Sequence, residues 1–348
     1  MPYIVKYTLK RLLLLFATTF IILTLTFFLV KLLPDPAMPT NEGSLLAFCN
    51  DQYTLGNYLR FTAEQTGLGD TVVPPITSGQ ITYYFYRAPL IRQYAIWVTG
   101  IFTRWDWGES TAIDVGKSAM VIIGQRLRPS ILINVFTIII AIPLGFIFGI
   151  IAALNKNKPI DNFISTVVMI MISVPSFVVI SVLMLWLCFQ NQWLPSMWPA
   201  QGTPADYAKA MVIPVMSLTF GTIAAFTRYT RAELCEVMSS EFLLLARTKG
   251  LTRRQCIVRH ALRNSMVPIV PMIIGEFVGI LGGSIILEQL YSINGIGGLF
   301  ILCITGKDYN VLLVDMAVYT MIDLVANLLV DLSYGIVDPR IRMGAKNA

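Results

Sequence analysis

The chain has 348 residues, of which 55% are hydrophobic and only 13% charged, and its mean hydropathy is +0.68. Soluble domains carry roughly 25% charged residues, so this composition excludes a soluble globular protein and describes a polytopic membrane protein. The net charge of +6 is explained by topology and not by nucleic acid, because the basic residues gather in segments that read as cytoplasmic.

The first element is an apolar run from Leu12 to Leu33, preceded by a basic start with Lys6, Lys10 and Arg11. It is about one bilayer long, whereas the apolar core of a signal peptide is roughly 7 to 15 residues. Residues 1–33 therefore read as a retained first membrane helix with its N-terminus inside, and Lys31 is expected to snorkel at the outer end. Residues 34–128 form a long polar and aromatic segment outside, with Pro74-Pro75 and Tyr83, Tyr84, Tyr86, Trp97, Trp105 and Trp107. A connection this long is expected to fold as a small cap, and its Trp and Tyr read as interfacial anchors. Gly116-Lys117-Ser118 is no phosphate loop, since Thr111 stands where the leading glycine is required.

Residues 129–348 read as the core. Spans are expected at 131–154, 163–189, 210–227, 267–290 and 311–334, giving an all-α protein with six transmembrane helices and both termini cytoplasmic. In the second span Ala141, Gly145, Gly149 and Ala153 recur every fourth residue, a small face suited to close helix packing. Pro143 lies inside it, and Pro175 is expected to kink the third span. Lys156 and Lys158 mark a cytoplasmic turn, and 190–209 lies outside. The fifth span carries a second stripe, Gly275, Gly279 and Gly283, with Glu276 inside it and Glu288 near its outer end. Gly295-x-Gly297-Gly298 reads as a turn, because no strand precedes it. On the sixth span Asp315, Tyr319, Asp323, Asn327 and Asp331 form a polar stripe. A central Asp facing lipid costs about 2.5 to 3.5 kcal/mol, so these residues are expected to face protein, water or headgroups. The tail, with Arg340, Arg342 and Lys346, is basic and reads as inside.

The cysteines, Cys49, Cys188, Cys235, Cys256 and Cys303, are odd in number and lack C-x-x-C spacing, and the only histidine is His260. A complete disulfide framework is excluded and no structural zinc site or other metal site is expected. The cysteines read as small apolar residues, and His260 as structural. No catalytic residues and no cofactor are indicated.

The segment 228–266 organises the rest. Arg228, Arg231, Arg247, Lys249, Arg253, Arg254, Arg259 and Arg263 face only Glu233, Glu236 and Glu241, a strong cytoplasmic bias. Ser239 and Ser240 can cap a helix whose first turn holds Glu241, and Gly250 stops it. Thr252-Arg253-Arg254-Gln255 fits a capping box that starts a second helix toward Pro268. The short helix would expose Phe242, Leu243, Leu245 and Ala246 if nothing covered them, and such a patch marks a partner site.

Ala246, Lys249, Gly250, Leu251, the run Arg259-His260-Ala261-Leu262-Arg263-Asn264 and Pro268 resemble the cytoplasmic "EAA" loop of ABC-transporter permeases. The segment is most similar to the B-type permease of oligopeptide and dipeptide uptake systems. Leu244-Leu245 stand where the general motif has Glu-Ala. The resemblance also takes in 92–110, Arg126 to Ser130, 291–298 and Asp338-Pro339-Arg340. It is loose over 1–34 and good over 93–342, while 41–88 exceeds the family pattern.

The resemblance implies the transmembrane domain of a type I ABC importer in the bacterial plasma (inner) membrane. It implies a homologous second permease, two cytoplasmic ABC ATPase subunits, an extracytoplasmic substrate-binding protein and a peptide substrate passed by alternating access. Segment 228–266 would be the coupling loop, with Glu241, Phe242, Leu245, Ala246, Arg247, Lys249, Gly250 and Leu251 meeting the ATPase. In that reading Phe242, Ala246 and Gly250 dock, while Arg247 and Lys249 steer. Glu276, Asp323, Asn327 and Asp331 would line the path or pack against the partner. Relatives that carry nickel or glycosides keep those cargoes open. An ion-coupled secondary transporter is the alternative of another class, and it calls for broken helices in repeated halves, which the sequence does not display.

Overall fold

The computed structural model describes residues 3–34, 38–65, 67–281 and 285–337. Gly283 and the basic tail from Asp338 onward lie outside the described residues, as does the Lys6 side chain. In chain order the elements are α1 (Tyr3–Val30), α2 (Glu42–Thr54), β1 (Tyr58–Phe61), β2 (Ile76–Ser78), β3 (Ile81–Arg87), α3 (Leu90–Arg104) and α4 (Ala119–Leu154). Then come α5 (Pro159–Ser173), α6 (Ser176–Leu183), α7 (Pro204–Met238), α8 (Glu241–Thr248) and α9 (Arg253–Gln255). The last are α10 (Leu262–Leu281), α11 (Ile285–Leu290), α12 (Ile296–Gly306) and α13 (Tyr309–Val337). Met184–Gln190 continues α6 as a π-helical turn, and Cys256–Ala261 joins α9 to α10 in the same way.

Among the described residues four helical stretches are long and apolar enough to cross a membrane: Leu9–Val30, α4, α7 and Tyr309–Ser333. The third expected span is not one rod. α5 and the continuous α6 stretch are bent by 92° at Val174-Pro175, and counting the pair as one crossing makes five. Proline lacks the N–H that would continue the helix and holds the preceding residue extended, here at φ −93° and ψ 116°. Over the fifth expected span the described residues form α10 and α11, neither of which is among those membrane-length stretches.

Other boundaries moved outward. α4 starts at Ala119, well ahead of 131, with Pro129 accommodated inside it. α7 runs past Thr227 to Met238, so the segment expected to be cytoplasmic opens as helix. α12 was unexpected: Gly297 and Gly298, read as a turn, fall in its first turn.

The described chain divides into two compact units. One comprises 18–125 and 300–318. Here the all-α expectation is corrected, because 58–87 folds as an antiparallel sheet of order β1-β3-β2. Tyr58, Tyr83 to Phe85 and Ile76 are aromatic or β-branched, the residues that fill a pleated surface. Gly79, at φ 66°, makes the tight β2–β3 turn. Cys49, Tyr58, Val73, Ile76 and Phe85 form the core beneath α2. The aromatics were expected as interfacial anchors, yet Tyr86 and Trp107 are buried within this unit. α3 packs along α1: Thr24 and Tyr94 share a hydrogen bond of 2.7 Å, and Phe27 lies 5.0 Å from Trp97, centroid to centroid. Lys31 donates to Asn57 Oδ1 at 2.7 Å and lies over the Phe27 ring.

Asp308 fastens the loop ahead of α4 to the start of α13. It is fully buried, and its Oδ2 accepts from Ser110 Oγ and from the N–H groups of Thr111, Ala112 and Ile113. Removing the acceptor leaves the buried Ser110 hydroxyl and three part-buried N–H groups unmet, at about 3 kcal/mol. Asp308→Ala is expected to lower the thermal midpoint of the purified protein clearly, and Asp308→Asn, which retains one acceptor, about half as much. Equal midpoints for Asp308→Ala and wild type in a detergent melt would contradict this.

The other unit takes the described residues that fall within 1–17, 126–299 and 319–337. α7 is its axis, touched by α5, α6 and α10. The small face of α4 packs on α7: a Cβ on Gly145 would sit 2.5 Å from Phe226 Cβ, and one on Gly149 2.5 Å from Thr230 Cβ. The stripe on α10 behaves differently, since nothing among the described residues comes within 4 Å of where a Cβ would stand on Gly275 or Gly279. Glu288 is buried; its Oε1 accepts from Ser130 Oγ and its Oε2 from the Gly298 N–H, while Ser130 Oγ accepts from the Ile296 N–H. These two side chains cap the start of α12. All five cysteines are buried, and none is in a disulfide among the described residues.

Candidate functional site

The segment after α7 forms a short helix with two unlike faces. Ser240, at φ −75° and ψ 148°, stands at the N-cap of α8, but its hydroxyl turns back to the Val237 carbonyl instead of capping. Gly250, at φ 87°, ends the helix, and Leu251 N–H reaches back to the Ala246 carbonyl. The box at Thr252 is formed: Gln255 N–H donates to Thr252 Oγ1 at 3.3 Å, and Thr252 N–H to Gln255 Oε1 at 2.9 Å.

Leu243 and Ala246 are the inward face, 5% and 9% exposed. They join Ala153 at the end of α4, Leu234 and Cys235 on α7, and Cys256 and Ala261. Leu251 packs on the same cluster. The outward face is Phe242, Leu244 and Leu245, exposed to 43%, 63% and 57%. Glu241, Arg247, Lys249 and Gly250 are exposed around it. Ala246 was expected on the docking face, but its position one turn from Leu243 turns it inward with that residue. Leu244 was overlooked as a contact because it stood only as a departure from the motif. Helical spacing, applied to the short run, pairs Leu243 with Ala246 and leaves Leu244 off that face. His260 is half-buried in the π-helical stretch.

The acids of the spans do not converge on one site. Glu276 Oε1 accepts from Thr222 Oγ1 at 2.9 Å, joining α10 to α7. Asp323 is exposed and accepts from Asn327 Nδ2 at 3.2 Å, one turn along α13. Asp331 forms an ion pair with Arg11 at 2.9 Å, and Asp315 is buried. Asp161, which the sequence reading passed over, is buried and paired with Arg231. An acid just after Lys158 and Pro159, at the edge of an apolar run, was the available signal. No group of three or more His, Cys, Asp or Glu that could hold a metal ion occurs among the described residues.

With α8 presenting an apolar face next to membrane-length helices, comparison with known proteins is direct. The description "binding-protein-dependent transport system inner membrane component" matches residues 145–343. The dipeptide transport system permease protein DppB of Lactococcus lactis subsp. cremoris is 34% identical over 340 residues, covering 97% of this chain and 100% of that protein. The oligopeptide transport system permease protein OppB of Haemophilus influenzae is 30% identical over 338 residues, covering 97% and 99%. The dipeptide transport system permease protein DppB of Bacillus subtilis is 29% identical over 341 residues, covering 98% and 99%. These matches run through 41–88, so that segment does not stand outside the relatives' length as expected. A family match over more than half the chain, joined to near full-length relatives and several membrane-length helices, leads to one assignment: the chain belongs to the binding-protein-dependent transport system inner membrane components, as a multi-pass bacterial membrane protein.

Proposed function

We propose that the chain is the permease subunit of an ATP-driven importer that passes di- or oligopeptides from an extracytoplasmic binding protein into the cytoplasm by alternating access. The observation that carries this reading is α8. Three large apolar side chains stand exposed on its outward face while Leu243 and Ala246 fix its inward face to the chain's own core. A surface built in this way fits a helix laid in a groove of a partner, here one of two cytoplasmic ATPases. Phe242, Leu244 and Leu245 dock, Arg247 and Lys249 steer, Gly250 and Leu251 end the helix at the required angle, and Ala246 seats it. The names of the relatives support peptide as the cargo.

In this reading the chain crosses the membrane six times, through α1, α4, the bent α5–α6 pair, α7, α10 with α11, and α13, with both termini cytoplasmic. A homologous permease completes the pathway. Glu276, Asp323 and Asn327 line that pathway or pack on the partner, and Asp331 serves the Arg11 pair. The bent helix pair is a feature that ion-coupled carriers also use. The family match and the docking face weigh toward the ATP-driven scheme. The test is assembly: tagged chain copurifies two ATPase subunits and a second permease, and proteoliposomes containing the chain alone move no peptide. Peptide uptake by the chain alone would overturn the proposal.

A further inference from the structure

The cytoplasmic ends of α4, α5 and α7 meet at one carboxylate. Asp161, in the first turn of α5, is 1% exposed at its side chain. Its Oδ1 accepts from Arg231 Nε at 2.5 Å and its Oδ2 from Arg231 Nη2 at 2.8 Å. The same Oδ2 accepts the Asn157 N–H at 2.9 Å, and Asn157 holds φ 62° in the turn between α4 and α5. One side chain thus fixes a left-handed turn and receives a guanidinium from α7.

Arg231 stands about two turns before the end of α7, from which α8 follows. The inward face of α8 is packed against Ala153, Leu234 and Cys235, so α8 and the ends of α4 and α7 make one apolar block. Apolar packing is non-directional and lets helices slide. A two-point charge-assisted bond sets both the height and the rotation of one helix against another. The pair ties this block to α5, and α5 runs to the break at Val174-Pro175.

We propose that Asp161 and Arg231 are positioning residues of the transport cycle, forming the link through which displacement of α8 is passed to α5 and its bend. The inference rests on the importer reading given above. Without the pair, α8 still meets the ATPase and ATP is still hydrolysed, but α5 no longer follows.

The experiment uses the full assembly in proteoliposomes, with binding protein, a di- or tripeptide and ATP, and reads peptide imported per ATP hydrolysed. Asp161→Asn and Arg231→Gln are each expected to lower that ratio about tenfold, within the span of known coupling effects, while ATP hydrolysis stays within about twofold of wild type. The double variant should be no worse than either single one, because both remove the same link. Arg231→Lys, which keeps the charge but loses the fork, should fall between, and it carries the test if Asp161→Asn does not assemble. A wild-type ratio in Arg231→Lys and Arg231→Gln would overturn the proposal. So would uptake and hydrolysis falling together in proportion, which is what lost folding alone produces. Failure of the wild-type assembly to show ATP-driven uptake would instead count against the importer reading.

Discussion

Phe242→Glu and Leu245→Glu are expected to leave the protein folded and membrane-inserted while cutting ATP-driven uptake about a hundredfold or more. Both side chains are exposed, so a carboxylate there disturbs nothing within the chain. In the assembly the same positions become the centre of an apolar contact. Losing a buried Leu or Phe forfeits about 1.5–3 kcal/mol, and an unpaired buried charge adds about 2–5 kcal/mol. Copurification of the ATPases should fall with uptake, and the thermal midpoint of the isolated chain should not change. The control is the inward pair. Leu243→Glu or Ala246→Glu puts the carboxylate into the cluster of Ala153, Leu234 and Cys256, and these variants should lose folded protein before any question of docking arises. Wild-type uptake by Phe242→Glu and Leu245→Glu together would remove α8 as the docking element.

The contrast between those two pairs shows where sequence reasoning stops. The existence of α8, its start near Ser240 and its end at Gly250 were legible, because residue preferences at helix ends and glycine stops act locally, even though the Ser240 hydroxyl does not itself cap. Which face turns inward was not, since it depends on Ala153 and Leu234, far away in the chain. The apolar spans were legible from hydropathy, but their ends were not: Arg126, Arg128, Arg228 and Arg231 read as loop charges and lie on helices. Pro175 announced a bend, but not its size of 92°. The strands at 58–87 were missed for another reason. A segment placed in a long outer loop was read for topology, although its run of β-branched and aromatic residues, Ile81 to Tyr86, carried a strand signal. Asp161 was hidden because its partner is Arg231, a residue already assigned to the positive-inside count.

Gly149 is where substitution should cost the fold itself. Its missing Cβ leaves room for α7: a Cβ there would meet Thr230 Cβ at 2.5 Å and the Thr227 carbonyl oxygen at 2.9 Å. Neither can give by a side-chain rotation, since a Cβ is fixed by its own Cα and the carbonyl oxygen is backbone of a long helix, so α4 and α7 must separate. Overpacking of this kind costs about 1–3 kcal/mol for small intrusions and more where backbone is the obstacle. Gly149→Ala is expected to lower the detergent melting midpoint by several degrees, and Gly149→Val to abolish recovery of folded protein. Gly145→Ala, facing Phe226 Cβ at 2.5 Å and the Ile223 oxygen at 3.2 Å, should resemble Gly149→Ala. The stripe on α10 supplies the comparison. Gly275→Ala and Gly279→Ala meet nothing within 4 Å among the described residues, and alanine favours a helix over glycine by about 1 kcal/mol. They should leave the midpoint unchanged or raised. If the second permease packs on that open stripe, Gly279→Leu will fold yet bring down less of that partner. The two stripes look alike in sequence; one is closed within the chain and the other is free to be closed by another. A melting midpoint for Gly149→Ala equal to wild type would show that α4 and α7 are not held at this distance, and α8 would then lack the rigid base from which it is proposed to act.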